Sequence, residues 1–172
     1  MLRLKLIIAT LFALFLVEVA IAESNLNQIV VTPSKRPTTI FNSLNSIEVV
    51  TQDDIKKYGY RTIDEILNLS SSISIGSNGG LGQTKSIFLR GTESNHTKVL
   101  LNGVELNPGT LGVPSIQHIS VEMINRIEIA KGGMSTLYGR DSIGGVINII
   151  TKQHDEKLAN ELMMSSGSFN TN

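Results

Sequence analysis

Serine, histidine and aspartate are all present in this chain, but their spacing assembles no nucleophile. There is no G-x-S-x-G elbow, and His96, His118 and His154 lie in separate contexts. The three histidines show no paired metal-ligand spacing. Cysteine is absent, which excludes thiol catalysis, disulfides and Cys-ligated zinc or iron–sulfur sites. The run from Gly76 to Gly82 has the glycine content of a phosphate loop but the wrong context. It leads into the strand pattern Ile87-Phe88-Leu89 rather than opening a helix, and no G-x-x-x-x-G-K-[ST] occurs. It reads as a solvated loop able to touch a ligand. Neither an enzymatic reaction nor a cofactor is expected, which leaves recognition.

Three features carry recognition chemistry. The patch Gln28-Ile29-Val30-Val31-Thr32 is β-prone, and Pro33 and Pro37 bar it from a central strand. Such a patch either adds itself to the edge of another protein's sheet or pairs within its own domain. The glycine loop is the second feature. The third is a set of arginines, Arg90, Arg126 and Arg140, each beside a β-type segment. Arg90 closes an apolar strand, and no carboxylate in the sequence presents itself as its partner.

These features need elements to hold them. Met1–Ala22 reads as a secretory leader: Arg3 and Lys5, then an apolar run from Leu6 to Val17, then Ala20-Ile21-Ala22. That run is too short to cross a hydrocarbon layer of about 30 Å. Without Arg3, Lys5 and Glu18 the chain keeps 13 positive and 14 negative residues. So even a balance argues against nucleic acid or an anionic membrane surface as partner. Residues 23–46 read as a flexible, extended arm. From Ile47 the patterns are ordered. Ile47–Val50 alternates as a strand, and Thr51 with Asp54 starts a helix ending near Gly59. Thr62–Leu67 starts a second helix, with Ile63, Ile66 and Leu67 on one face. Asn102-Gly103 between Lys98–Leu101 and Val104–Leu106 signals a hairpin. Ser120 and Glu122 mark one helical turn before the alternating strand Arg126–Ile129. Val146–Thr151 reads as a central buried strand. The fold class is α+β: a small mixed sheet with very short helices and long loops, over residues 47–152.

The run from Ile124 to Lys152, with Arg126-Ile-Glu-Ile, Leu137-Tyr-Gly and Gly144-Gly-Val-Ile-Asn-Ile-Ile-Thr, closely resembles the end of the plug domain of TonB-dependent outer-membrane receptors. Ile87-Phe-Leu-Arg-Gly-Thr92 and Val99-Leu-Leu-Asn-Gly-Val104 are similar to that family's two earlier motifs, in the same order. Asn27–Pro33 falls where the family carries its TonB box. The resemblance implies that Gln28, Ile29, Val30, Val31, Thr32 and Pro33 bind TonB by strand addition. Within the family, Asn78–Gln83, Arg90–His96 and Glu105–Asn107 look like stretches of cobalamin (vitamin B12) receptors. That likeness implies substrate contact from Asn78, Gly79, Gly80, Leu81, Gly82 and Gln83, and from Asn107, Pro108, Gly109, Thr110 and Leu111. It also implies that Arg90 and Arg126 pair with glutamates of a surrounding barrel wall.

Family members continue into a barrel of about 22 strands. That needs on the order of 220 residues. Only 21 follow Thr151, so residues 153–172 are expected to be a linker and the start of a first barrel strand at Glu161–Phe169, with the barrel itself absent. The expected function is the plug portion of a receptor for active uptake of a scarce nutrient, cobalamin first and a ferric siderophore second. Its partners would be TonB, a cognate outer-membrane β-barrel and that ligand, with no nucleic acid. The expected location is the outer membrane, or the periplasm if no barrel accompanies the chain. The rival reading is a periplasmic binding module that transports nothing.

Overall fold

The computed structural model describes residues 29–32, 34–40, 42–80, 82–109 and 112–153. The leader read over residues 1–22 and the barrel strand read over Glu161–Phe169 lie outside the described residues.

Local chemistry sets the helix ends. Thr51 closes β3 (Ser46–Thr51) and caps α1 (Gln52–Tyr58). Asp54 N donates to Thr51 Oγ1 at 3.3 Å, and Thr51 N donates to Asp54 Oδ2 at 3.0 Å. This reciprocal box satisfies amides that have no partner inside the helix. Gly59 then stops α1 at φ +65°, a conformation costly for other residues. At α2 (Ile63–Leu67), the Glu65 carboxylate reaches back to the N–H groups of Arg61 at 2.8 Å and Thr62 at 3.3 Å. Its apolar face, Ile63, Ile66 and Leu67, is buried, as the spacing requires.

The central sheet has five strands in the order β3-β8-β9-β6-β7. Here β6 is Thr97–Leu101, β7 is Val104–Glu105, β8 is Ile124–Lys131 and β9 is Gly145–Thr151. β9 lies in the middle, as its run of branched residues predicts. It pairs antiparallel with β8 and parallel with β6. β6 and β7 join through Asn102 (φ +51°) and Gly103 (φ +85°), the two left-handed residues of a tight hairpin. A separate hairpin of β4 (Ile73–Ser77) and β5 (Lys85–Leu89) carries the glycine loop at its tip. β9 has to start with glycine. A Cβ on Gly145 would strike the Ala130 carbonyl oxygen and the Leu89 side chain, and its φ is +148°.

Strand alternation gives the sheet two unlike faces. On one, Val99, Ile127, Ile129, Ile147 and Ile149 pack with Ile55 of α1, Ile66 and Leu67 of α2, and Ile87 and Leu89 of β5. On the other, Leu100, Ala130 and Val146 meet Met134 and Tyr138 around the short helix α3 (Ser135–Tyr138). This second face also carries Glu128, Asn148 and Lys98, all buried. What covers Glu128 is the start of the described chain. The sequence pattern reads residues 23–46 as an extended arm, whereas the structure folds part of it into a hairpin of β1 (Ile29–Val30) with β2 (Thr38–Thr39). Val30 and Thr32 are fully buried there. The physical reason is the buried carboxylate described next.

Candidate functional site

Glu128 lies between Ile127 and Ile129 on β8 and has no solvent exposure. A carboxylate so placed needs donors on both oxygens, since an unpaired buried charge is very costly. Oε1 accepts from Arg126 Nε at 2.9 Å and lies 2.9 Å from Arg126 Nη2. Oε2 accepts from Val31 N at 3.0 Å, Thr32 N at 2.9 Å and Thr32 Oγ1 at 2.6 Å. One oxygen thus serves the sheet and the other serves the N-terminal segment.

Tyr138 completes the contact. Its hydroxyl donates to Thr32 O at 2.8 Å, and the Lys35 ammonium sits 4.8 Å from its ring centroid. Lys98 anchors Tyr138 in turn, donating from Nζ to the Tyr138 carbonyl at 2.8 Å and pairing with Glu105 at 3.1 Å. Burial pushes the Tyr138 phenol above its ordinary pKa, and the Glu128 charge adds to the rise. Beside the segment, a recess of about 540 Å³ opens between Val31, Asn102, Asn125, Arg126 and Asn148.

Of the residues expected to bind TonB, Val30, Val31 and Thr32 come together here. Ile29 contributes backbone to β1, and Gln28 and Pro33 lie outside the described residues. Of the two arginines expected to reach a barrel wall, Arg126 is already engaged by Glu128 within the chain. Two residues apart on one strand, they share a face. Arg90 stands exposed in a turn at φ +53° and makes no side-chain hydrogen bond or ion pair among the described residues.

The expected substrate loops divide in character. Asn78, Gly79, Gly80, Gly82 and Gln83 are exposed at the β4–β5 tip, and Leu81 lies outside the described residues. Lys85 braces the base of that tip, donating to Ser77 Oγ at 3.0 Å and pairing with Asp64 at 3.3 Å. In the other loop Pro108 and Gly109 are exposed, and Thr110 and Leu111 lie outside the described residues. Asn107 differs from its exposed loop neighbours. Its side chain is buried and turned inward, accepting from Val99 N at 2.7 Å and donating to Thr97 O at 3.1 Å and Gly112 O at 2.8 Å. These bonds brace the loop from within.

Glu128 and Tyr138 are the residues that sequence reasoning left without a role. The signal was present: one acidic residue inside an isoleucine strand, two positions from an arginine. No trio of His, Asp or Glu among the described residues is placed to hold a metal ion. None of the described helices is long and apolar enough to cross a membrane.

The small mixed sheet, short helices and long loops define a plug-type domain. The sequence model of the TonB-dependent receptor plug domain matches residues 39–146. The chain belongs to that family. It is similar to the vitamin B12 transporter BtuB of Vibrio cholerae serotype O1, at 34% identity over 81% of this chain and 23% of the transporter. It is likewise similar to BtuB of Photobacterium profundum, at 36% identity over 85% of this chain and 24% of the transporter. The chain therefore spans about a quarter of the length of these relatives. Among solved structures, the ferric citrate transporter FecA in its unliganded form superposes with a TM-score of 0.57 at 26% identity, covering 66% of this chain and 18% of FecA. The ferric yersiniabactin uptake receptor FyuA of Yersinia pestis gives a TM-score of 0.54 at 27% identity, with the same two coverages of 66% and 18%. These relatives are named as transporters and receptors rather than enzymes.

Proposed function

We propose that this chain is the plug of an outer-membrane receptor that imports cobalamin with energy supplied through TonB. The observation that carries the ligand is the 34–36% identity to vitamin B12 transporters over more than four-fifths of the chain. In this reading Asn78–Gln83 and the loop Pro108–Leu111 meet the substrate outside. Residues 28–33 are presented to TonB in the periplasm, and Arg90 faces a glutamate of the barrel. The work is recognition and rearrangement, with no bond made or broken. Arg90, exposed and without a side-chain ion pair among the described residues, is available to a carboxylate of a partner wall, which supports this reading. A second reading, uptake of a ferric siderophore, is favoured by the similarity to FecA and FyuA.

The test is a graft. Residues 23–152 replace the plug of a vitamin B12 transporter, and uptake of labelled cobalamin and of a ferric siderophore is measured. The proposal expects cobalamin uptake that disappears when Asn27–Pro33 is deleted. Uptake of the iron complex alone would reverse the ligand assignment. Uptake that survives the deletion would remove the TonB-binding role from residues 28–33.

A further inference from the structure

The sequence contains two Asn-Gly pairs, Asn78-Gly79 and Asn102-Gly103, and both lie exposed at hairpin tips. Such a pair is open to attack from within, because glycine places no Cβ beside its own N–H. The glycine N loses its proton to hydroxide and bonds to the asparagine Cγ. The Cγ–Nδ2 bond then breaks, ammonia leaves with a proton taken from water, and a cyclic succinimide remains. Water adds to either ring carbonyl and gives aspartate or isoaspartate, with one new carboxylate. A side chain pinned elsewhere, or a glycine N–H already donating, blocks the first step.

Hydrogen bonds separate the two pairs where exposure does not. Both ends of the Asn102 amide are tied to Thr151: Oδ1 accepts from Thr151 N at 2.9 Å, and Nδ2 donates to Thr151 Oγ1 at 2.9 Å. The nucleophile is tied as well, since Gly103 N donates to Asn148 Oδ1 at 3.1 Å. Thr151 and Asn148 both belong to β9, the middle strand, so reaction there requires that the sheet open locally. The Asn78 side chain makes no hydrogen bond among the described residues. Gly79 N reaches only Ser77 Oγ, at 3.3 Å, and Asn78 N only the Thr84 carbonyl, also at 3.3 Å. The tip cannot readily exchange its glycine, because a Cβ at Gly79 would lie 2.9 Å from Gln83 Cγ.

We propose that Asn78 is a site of spontaneous modification, converting to aspartate and isoaspartate while Asn102 stays intact, and so placing a negative charge on the β4–β5 tip. Isoaspartate also lengthens the main chain there by one methylene. The modification stands on the hydrogen bonding alone; its consequence for ligand contact rests on the reading of Asn78–Gln83 as facing the substrate.

The full chain, folded and separately unfolded in urea, is incubated at mildly alkaline pH and cut with trypsin. Asn78 falls in the peptide Thr62–Lys85 and Asn102 in Val99–Arg126, so mass spectrometry with fragmentation follows each site by itself. In the folded chain, conversion at Asn78 is expected to be on the order of tenfold faster than at Asn102, and in urea the two rates converge. Equal rates in the folded chain, or a faster Asn102, overturn the proposal. A gap that persists in urea overturns it too, since the cause would then be neighbouring residues and not the fold. In the grafted receptor, Asn78→Asp should lower cobalamin uptake several-fold at limiting ligand. Unchanged uptake there removes Asn78 from substrate contact and leaves the modification standing.

Discussion

Along β9, neighbouring residues enter two different environments. Ile147 and Ile149 join the larger apolar cluster, closed over by α1, α2 and the β4–β5 hairpin. Val146 and Asn148 point to the other face, where a small apolar group shares the surface with Glu128 and Lys98. The first face is sealed by dispersion and hydrophobic burial, which is non-directional and lost only when the domain opens. The second is covered by a segment held through a few directional hydrogen bonds. The two faces of one sheet are thus closed by different interactions, the second by hydrogen bonds to Glu128 together with the burial of Val30.

The largest expected effect separates the two faces on a single strand. Ile147→Ala should destabilise the domain by about 4 kcal/mol, and Val146→Ala, in the smaller cluster, by about 2 kcal/mol. Denaturant midpoints of the two variants measure the difference, and equal losses would erase the distinction between the faces.

A second contrast lies within the loops assigned to substrate. Asn107→Ala leaves the buried Val99 N–H without its acceptor and should cost about 2 kcal/mol. Gln83→Ala, at an exposed tip, should stay within about 0.5 kcal/mol. Thermal melts of both variants with and without cobalamin sharpen the point. Asn107 should act through stability, and Gln83 through ligand binding alone.

The smallest effect is on pH. The Tyr138 pKa is raised on folding, so its contribution is fully present below the ordinary phenol value near 10 and is lost as pH climbs through the higher folded value. Ionisation removes the donor to Thr32 O and places a negative charge near Glu128. Exchange at the Thr32 amide should therefore rise above about pH 10 faster than general base catalysis predicts. Tyr138→Phe should lack this extra rise. An identical profile in the variant would remove Tyr138 from the contact with Thr32.

Much of the fold was legible because its signals are local. The Thr51–Asp54 box, Gly59, the Asn102-Gly103 turn and the branched run at 146–151 each act within a few residues of themselves. The second face was less legible because its contacts are remote. Glu128 meets Val31 and Thr32 across 97 and 96 residues of chain, and nothing near either partner announces the other. Alternation in Arg126–Ile129 places Glu128 opposite the core but does not say whether that side meets water or protein. The Arg126 pairing was within reach, since positions two apart on a strand share a face. Asn107 was obscured by its Gly/Pro neighbours, which mark a loop but give no sign that one amide is turned inward.

The Glu128 contact has a mechanical consequence. β8 is laced to β3 over six residue pairs and to β9 over seven. The N-terminal segment touches Glu128 through three hydrogen bonds gathered at one oxygen. A tensile load applied at the N-terminus arrives at this joint in series with the sheet, and the shorter set of bonds yields first. The joint takes up load before the ladder does, and once it parts the pull passes along the chain to β3, the edge strand of the sheet.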